Sequence, residues 1–290
     1  MNIKDLIVLV RPQQYVKNVF IFLPIFFGMQ IANTQFLLSA LLAFIAFSLS
    51  ASAVYILNDY RDREEDRKHP VKKLRPLAAG TISVKSALFL MGCLFAFGTG
   101  LMAVLSMKAL AFLLAYFVLN IGYSLFLKHV SIVDVMIIAI GFVLRLFIGS
   151  AVTGISLSMW IVVMTFLLAL FLALAKRRDD VLIYLDTGEK MRKTIDGYNL
   201  RFLDNAMMIM AAVVIVAYIL YTTSPEATLR VGNNYLYITA FFVILGIMRY
   251  LQIAFVEKNS GSPTKVLLTD RFTQVVVLGW LAAFSWILYL

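Results

Sequence analysis

The chain has 290 residues, of which 62% are hydrophobic and only 14% are charged. This composition excludes an ordinary soluble domain, because apolar runs long enough to cross a bilayer recur along the whole sequence. The formal net charge of +10 favours anionic lipid or anionic substrates, and we expect no nucleic-acid partner. The single cysteine excludes an internal disulfide.

Nine apolar segments follow one another along the chain, and each predicts a membrane-spanning helix. They cover residues 17–33, 36–58, 84–106, 109–127, 131–153, 158–175, 205–223, 233–253 and 273–290. Three connections, 59–83, 176–204 and 254–272, are long and polar, whereas the others are short. We therefore predict one all-α integral membrane domain over residues 1–290.

The positive charges predict how these helices are oriented. All but three of the 26 Lys and Arg residues fall on one side of the helices. Lys108 and Arg230 fall on the other side, and Arg145 lies within a span. Because Lys and Arg are enriched in cytoplasmic loops, we expect the N-terminus and the long connections to face the cytoplasm. Nine spans then place the C-terminus outside, and a polar substrate site should lie on the charged, cytoplasmic side.

An acidic pattern, N-D-x-x-D-x-x-x-D, stands where the second predicted span ends. It consists of Asn58, Asp59, Asp62 and Asp66. If the helix continues, the three aspartates lie at i, i+3 and i+7 on one face. Such a face attracts a cation, and Mg²⁺ commonly binds one or two carboxylates together with substrate phosphates. The pattern predicts a Mg²⁺–diphosphate site. The alternative is a solvated helix end whose carboxylates pair with the neighbouring Arg and Lys residues.

This motif, at the end of the second of nine predicted helices, resembles the first aspartate motif of the UbiA superfamily of intramembrane prenyltransferases. The segment KLRPLAAG that follows, which contains Arg75, is also similar to that superfamily. The resemblance covers essentially the whole chain, because helix number and loop placement agree. It implies a UbiA-type bundle with a cytoplasmic polar cap. It also implies a Mg²⁺-dependent transferase acting on a diphosphate substrate, with Asp59 and Asp62 as catalytic residues.

Four further stretches resemble one branch of the superfamily, the decaprenyl-phosphate phosphoribosyltransferases. They are RPQQYVKN at 11–18, YSLFLKHVSIVDV at 123–135, LRLFIGS at 144–150 and AKRRDDVLIYLDTGEKMRKTIDGYN at 175–199. Two positions depart from the branch: Tyr15 replaces a tryptophan, and Asp180 stands where glutamate is expected. The resemblance implies phosphoribosyl pyrophosphate as the donor and a polyprenyl phosphate as the acceptor. It also implies a location in the bacterial plasma (inner) membrane.

The same resemblance assigns substrate contacts to a set of polar side chains. The set is Arg11, Gln14, Lys17, Asn18, Arg75, Tyr123, Lys128, Asp134, Arg145, Lys176, Arg177, Asp180, Arg192 and Tyr198. Lys128 is expected to meet the diphosphate as a point charge, and the resemblance implies that Lys128 and Arg145 are catalytic residues together with Asp59 and Asp62. Arg145 is expected to meet a substrate phosphate, because an intramembrane arginine usually faces the bundle interior and indicates function. The alternatives are interfacial anchoring for Arg11 and Lys17, an internal pair for Arg145, and a plain basic surface for residues 176–204.

Two other functions stay open at the level of sequence. An aromatic, quinone-pathway prenyltransferase with a polyprenyl diphosphate donor needs only the first motif and the helical bundle. The loop 176–204 lacks a clean second D-x-x-x-D motif and is rich in Arg and Lys, which favours the phosphoribosyl branch. A transporter or lipid-binding protein would be favoured by broken helices or a second intramembrane charge. The oligomeric state is also left open.

Overall fold

The computed structural model describes residues 3–68, 72–188, 193–258 and 263–289. These residues form helices joined by short connections, and they include no β-strand. Within this part of the chain, eight helices are long and apolar enough to cross a membrane. The sequence-based expectation of an all-α membrane protein is therefore confirmed.

The first of two compact units contains residues Met1–Leu127 and Leu144–Leu157. Its helices are α1 (Ile3–Val10), α2 (Leu23–Phe27), α3 (Thr34–Lys68), α4 (Pro76–Ala79), α5 (Val84–Leu105), α6 (Met107–Leu125) and the second half of α7 (Val133–Thr153). Two 3₁₀ helices, Pro12–Phe22 and Lys72–Leu74, complete it. Helix α3 packs most extensively against α5 and also contacts α1, α4 and α6.

Helix α3 brings the acidic motif into the first unit. No Gly or Pro interrupts the sequence from Thr34 to Lys68, so nothing breaks the helical hydrogen-bond ladder where the apolar part ends. At 1.5 Å per residue the helix is roughly 50 Å long, which exceeds the ~30 Å hydrocarbon core of a bilayer. The expectation that the second helix continues through Asp66 is confirmed.

The first predicted span, residues 17–33, is not the single α-helix that was expected. It is a 3₁₀ helix, Pro12–Phe22, followed by the short α2, and so it is not one of the eight long helices. Four side-chain contacts pair it with successively earlier residues of α3: Arg11–Asp59, Tyr15–Ser52, Asn18–Ser48 and Phe22–Phe44. The segment therefore runs antiparallel to α3. Because a 3₁₀ helix rises ~2.0 Å per residue, the two pieces together extend roughly 30 Å, the thickness of the hydrocarbon core.

The second unit contains residues Lys128–Val143 and Ser158–Leu290. Its helices are the first half of α7, α8 (Met159–Thr187), α9 (Leu200–Thr222), α10 (Pro225–Val231), α11 (Ala240–Phe255), α12 (Pro263–Thr269) and α13 (Arg271–Tyr289). Its two 3₁₀ helices are Lys193–Gly197 and Tyr235–Thr239, and a third, Leu127–His129, begins at the unit boundary. The core forms where α8, α9 and α11 meet, around the buried Phe171, Leu203 and Met207.

Asp270, whose role the sequence leaves open, fixes the start of α13. Its carboxylate accepts a hydrogen bond from the backbone N–H of Thr273 at 2.8 Å, as a helix N-cap does. The same carboxylate accepts a bond from Arg249 of α11 at 2.6 Å. This hydrogen-bonded pair, together with the bonds from Thr273, holds the pKa of Asp270 well below its usual range. The residue thus ties the end of α11 to the beginning of α13.

Gly149 of α7 generates a prediction about the first unit, because it packs against the backbone of the 3₁₀ helix Pro12–Phe22. A β-carbon at position 149 would lie 2.1 Å from the carbonyl oxygen of Ile21 and 3.1 Å from Cγ of Pro24. Gly149→Ala should push the 3₁₀ helix away and cost about 1–3 kcal/mol of stability. The measurement is the unfolding temperature of the detergent-solubilised protein.

The matched control is Gly100→Ala in α5, where an added β-carbon meets no atom within 4 Å. This substitution should leave the unfolding temperature unchanged or raise it slightly, because alanine is the better helix former. Equal losses at positions 100 and 149 would contradict the packing argument.

Candidate active site

Asp59 is the centre of a charged cluster in the first unit and is only 1% exposed. Its Oδ1 accepts hydrogen bonds from Arg11 at 2.5 Å and from Arg75 at 3.0 Å. Arg75 also donates to Oδ2 of Asp66 at 2.8 Å. Two carboxylates of the acidic motif therefore share one guanidinium, and four of the residues that the sequence singles out lie together.

The second oxygen of Asp59, Oδ2, is buried and has no hydrogen-bond partner among the described residues. A buried carboxylate oxygen without a donor costs about 1–3 kcal/mol or more, and in a native protein it requires an explanation. A bound cation would provide one. Nearby in sequence, Asn58 Oδ1 accepts a hydrogen bond from Ser124 Oγ, which fixes the amide.

The donor atoms of this cluster suit Mg²⁺ more than a softer metal, because they are carboxylate and amide oxygens. In residues 3–68, 72–188, 193–258 and 263–289, no group of three or more His, Cys, Asp or Glu side chains could enclose a metal ion. Mg²⁺ commonly binds one or two carboxylates and keeps water and substrate phosphate oxygens as its other ligands. Asp62, partly buried one turn before Asp66, stays a predicted ligand.

Arg11 adopts an unusual backbone conformation at the end of α1. Its φ angle is 58°, in the left-handed region, and its N–H bonds to the carbonyl oxygen of Ile7. Such helix ends usually carry glycine or asparagine, because a β-carbon makes this conformation costly. The side chain of Arg11 bonds to Asp59 and lies over the ring of Tyr55, 5.5 Å from its centroid. A strained residue with an engaged charged side chain is typical of a functional site.

Arg145 forms a second polar group in the first unit, and its guanidinium is buried as expected for an intramembrane charge. Its Nε donates to Oδ1 of Asn18 at 2.9 Å, and the amide of Asn18 donates to Ser48 at 2.9 Å. The guanidinium also lies 4.7 Å and 5.1 Å from the ring centroids of Phe47 and Tyr116. Both rings offer cation–π stabilisation to the charge.

Lys17 lies in the 3₁₀ helix Pro12–Phe22, outside the eight long spans. The positive charges of Arg145 and Arg11 act on the ammonium group of Lys17 by Coulomb repulsion. Three cations thus act on one another within the first unit. An anionic ligand would relieve their repulsion, which makes this group a candidate phosphate site.

In the second unit, four residues that the sequence singles out form a hydrogen-bonded network. Arg177 donates to Oδ2 of Asp134 at 2.5 Å and to Asp180 at 3.0 Å. The hydroxyl of Tyr198 donates to Oδ1 of Asp134 at 2.7 Å. Burial, and next the bond to Asp134, raises the pKa of Tyr198, so the hydroxyl stays protonated and remains a donor. Both oxygens of Asp134 are therefore occupied by donors of this unit.

The other predicted site residues have less defined surroundings. Gln14, Tyr123, Lys128 and Lys176 are partly buried, and their substrate contacts stay predictions. Arg192 lies outside the described residues.

Sequence reasoning missed several residues that support the site. Ser48 bonds to Asn18, and Ser52 bonds to the carbonyl oxygen of Val10 and contacts the hydroxyl of Tyr15. Their spacing of four residues on an apolar helix was a usable signal, because it places two hydroxyls on one face. For Ile132, which has a φ angle of 71°, the sequence carries no such signal.

The fold and these contacts can now be compared with known proteins. Residues 21–276 match the UbiA prenyltransferase family. The chain belongs to this family. A decaprenyl-phosphate phosphoribosyltransferase of Corynebacterium glutamicum is 32% identical to this UbiA-family protein, over 96% of this chain and 85% of that protein. The protein of the same name from Mycolicibacterium smegmatis is 28% identical, over 99% of this chain and 93% of that protein.

A solved structure gives the same family fold. The UbiA homologue of Archaeoglobus fulgidus bound to DMAPP and Mg²⁺ has a TM-score of 0.71 at 18% identity, covering 97% of this chain and 98% of that one. This UbiA-family protein is therefore an integral membrane transferase with the UbiA fold.

Asn18 provides a test of the contacts around Arg145. Asn18→Leu removes both the acceptor for Arg145 and the donor to Ser48. The free energy of unfolding should fall by roughly 2–4 kcal/mol, because one hydrogen bond to a charged group and one neutral hydrogen bond are lost at a buried position. Asn18→Asp keeps an acceptor for Arg145 and should lose clearly less. The unfolding temperatures of the two solubilised variants check this order. A leucine variant as stable as the aspartate variant would contradict it.

Proposed function

We propose that this UbiA-family protein transfers phosphoribose from phosphoribosyl pyrophosphate to a polyprenyl phosphate and releases diphosphate. Similarity over nearly the full chain to two decaprenyl-phosphate phosphoribosyltransferases supports this donor and acceptor. The structural observation that carries the proposal is the buried Oδ2 of Asp59, which has no donor in the part of the chain that the structure describes, although two arginines bond to the other oxygen.

The acidic motif is the proposed Mg²⁺ site. Asn58, Asp59, Asp62 and Asp66 would hold the ion, and when bound it would offset the negative charge of the donor diphosphate. Arg75 holds the carboxylates of Asp59 and Asp66 close to each other, and Ser124 holds the amide oxygen of Asn58. These contacts pre-orient the oxygen ligands, so little rearrangement is needed when substrate arrives.

The basic residues have proposed roles on the phosphates. Lys128 and Lys176 contact the donor phosphates and stabilise the charge that develops on the leaving diphosphate. Arg177 donates hydrogen bonds to Asp134 and Asp180. Its proposed role is to orient the carboxylate of Asp180 so that it can accept hydrogen bonds from the ribose hydroxyls. Arg145, Lys17 and Asn18 receive a substrate phosphate, which we assign to the lipid acceptor, and Arg11 helps to orient it.

The proposed reaction is a substitution at the anomeric carbon of the ribose. An oxygen of the lipid phosphate forms the new bond to this carbon while the bond to the diphosphate oxygen breaks, and the electron pair leaves with diphosphate. Inversion at the anomeric carbon is expected. A phosphate monoester is already anionic near neutral pH, so no strong general base is required. A chain with only two histidines is consistent with this chemistry.

The proposed topology has nine crossings, the eight long helices together with the extended segment from Pro12 to Phe27. The N-terminus and the long polar connections would then face the cytoplasm of the plasma membrane, and the C-terminus would lie outside. A cytoplasmic polar cap follows, because the acidic motif and most basic residues belong to that side. This topology is supported by the antiparallel contacts between the 3₁₀ helix and α3.

The second candidate is an aromatic, quinone-pathway prenyltransferase with a polyprenyl diphosphate donor. It is favoured by the similarity in fold to UbiA homologues solved with DMAPP or GPP and Mg²⁺. It requires a diphosphate site but no site for a second phosphorylated substrate. The cationic group of Lys17, Arg145 and Arg11 therefore argues against it.

A direct assay tests the proposed function. Purified protein, Mg²⁺, labelled phosphoribosyl pyrophosphate and a polyprenyl phosphate should give a labelled lipid, and Mg²⁺ chelation should abolish it. Asp59→Asn should reduce kcat/KM by about 10²-fold or more, because it weakens the proposed metal site. The matched control on the same helix is Glu65→Gln, an exposed carboxylate outside the cluster, which should stay within about twofold of the starting activity.

Two outcomes would overturn the proposal. One is the absence of labelled lipid with polyprenyl phosphates of several chain lengths. The other is prenylation of an aromatic acid by the same sample when a polyprenyl diphosphate is supplied, which would establish the second candidate.

A further inference from the structure

The turn before α7 contains a strained residue, Ile132. Its φ angle is 71°, in the left-handed region, where a β-branched side chain is a rare outlier. Its side chain is 56% exposed, so packing of the side chain does not account for the conformation. Glycine or asparagine would adopt this backbone more readily. Something outside the residue must hold it in place.

The hydroxyl of Tyr198 is what holds it. Its oxygen accepts a hydrogen bond from the backbone N–H of Ile132 at 2.6 Å, and its proton is donated to Asp134 at 2.7 Å. One of the two atoms that the hydroxyl contacts belongs to the turn before α7, and the other belongs to the first turn of α7. Tyr198 itself is buried, with 7% of its surface exposed.

A second contact joins the turn before α7 to the segment from Thr194 to Tyr198. Ser131 Oγ donates to the carbonyl oxygen of Thr194 at 3.4 Å. A β-carbon at Gly197 would lie 2.0 Å from that Oγ, so the backbone of residue 197 approaches the turn more closely than any other residue type allows. The segment from Thr194 to Tyr198 is therefore fitted to the turn by its backbone as well as by the tyrosine hydroxyl.

This turn follows directly on the 3₁₀ helix Leu127–His129, which carries Lys128. Lys128 lies four residues before Ile132, so we expect a change in the backbone at Ile132 to alter the position of Lys128 along the short connecting chain. Lys128 is the residue that the proposed function assigns to the donor phosphates. A misplacement of about 1 Å in a charged substrate contact is enough to reduce turnover markedly.

We propose that Tyr198 is a positioning residue for the donor site. Its hydroxyl holds Ile132 in the left-handed turn and thereby sets the position of Lys128, and it does not itself contact substrate. The inference rests on the proposed function for the role of Lys128. It replaces the expectation from sequence that Tyr198 binds substrate, because the hydroxyl proton is already donated to Asp134 and the oxygen already accepts from Ile132.

A double-mutant cycle tests this role. Tyr198→Phe removes the hydroxyl and keeps the ring, so Ile132 should relax out of the left-handed region. The KM for phosphoribosyl pyrophosphate should rise by about 10-fold, and the KM for the polyprenyl phosphate should change by less than about twofold. Ile132→Gly alone should leave the KM for the donor nearly unchanged, because it removes only an exposed side chain.

The double variant, Tyr198→Phe with Ile132→Gly, carries the decisive measurement. Glycine adopts the left-handed turn without help, so the KM for the donor should return to within about threefold of the starting protein. A tyrosine that binds substrate through its hydroxyl, or that serves only in packing, gives no such rescue. Failure of glycine to rescue the phenylalanine variant would therefore overturn the inference.

A second readout does not depend on turnover. Hydrogen–deuterium exchange of residues 128–134 should be faster in Tyr198→Phe than in the starting protein, because the amide of Ile132 loses its acceptor. Unchanged exchange would also overturn the inference. The starting protein could make no labelled lipid while Tyr198→Phe still shows faster hydrogen–deuterium exchange at residues 128–134. That result would contradict the proposed function and would support the stabilisation of the turn by Tyr198. If transfer occurs without rescue, the function stands and the positioning role fails.

Discussion

Charge buried among apolar helices must be compensated where it lies, and this constraint determines the polar contacts of both units. An unpaired ion in a medium of low polarity is too costly to retain, so buried charges are paired, hydrogen-bonded or stacked on aromatic rings. Arg145 illustrates two of these solutions, because it donates a hydrogen bond to Asn18 and lies over two aromatic rings. Arg177 illustrates the other solution, with two carboxylates on one guanidinium. The first contact joins α7 to the 3₁₀ helix Pro12–Phe22, and the second joins α8 to α7.

Two of the four non-glycine residues with a positive φ angle among the described residues take part in polar contacts of this kind or lie beside them. Arg11 and Ile132 both adopt left-handed conformations without being glycine, at a cost of roughly 1–2 kcal/mol each. A neutral hydrogen bond contributes about 1 kcal/mol and one to a charged group about 1.5–3 kcal/mol. The bonds from Arg11 to Asp59, from Tyr198 to Asp134, and from the N–H of Ile132 to Tyr198 are therefore large enough to offset this strain. At both residues the backbone conformation depends on a hydrogen bond to a residue far away in the sequence. The strained backbone is thereby linked to the polar contacts around it.

The sequence predicted the long spans and the acidic face because both depend on local periodicity. Asp59 and Asp66 share a face of α3 for the simple reason that the helix is uninterrupted from Thr34 to Lys68. The first segment was predicted less well: its apolar run indicated a span, but periodicity does not distinguish a stretched 3₁₀ helix from an α-helix when tertiary contacts select the winding. The hydrogen bond from Tyr198 to Asp134 could not be predicted from local periodicity either, because it joins residues that are 64 positions apart in the sequence. The conformation of Ile132 depends on a second long-range bond, from its N–H to the hydroxyl of Tyr198.

The two buried aspartates that anchor these networks differ in what they leave open to a ligand. Both oxygens of Asp134 accept hydrogen bonds: Tyr198 donates to Oδ1 and Arg177 donates to Oδ2. The negative charge of Asp134 is therefore compensated within the protein. Asp59 has two donors on Oδ1 and none on Oδ2 among the described residues. A group that serves only to hold helices together would be expected to resemble Asp134, because an unsatisfied oxygen weakens the fold without compensation. The Oδ2 of Asp59, which has no hydrogen-bond partner among the described residues, is the atom that the proposed function assigns to a cation bound together with the substrate.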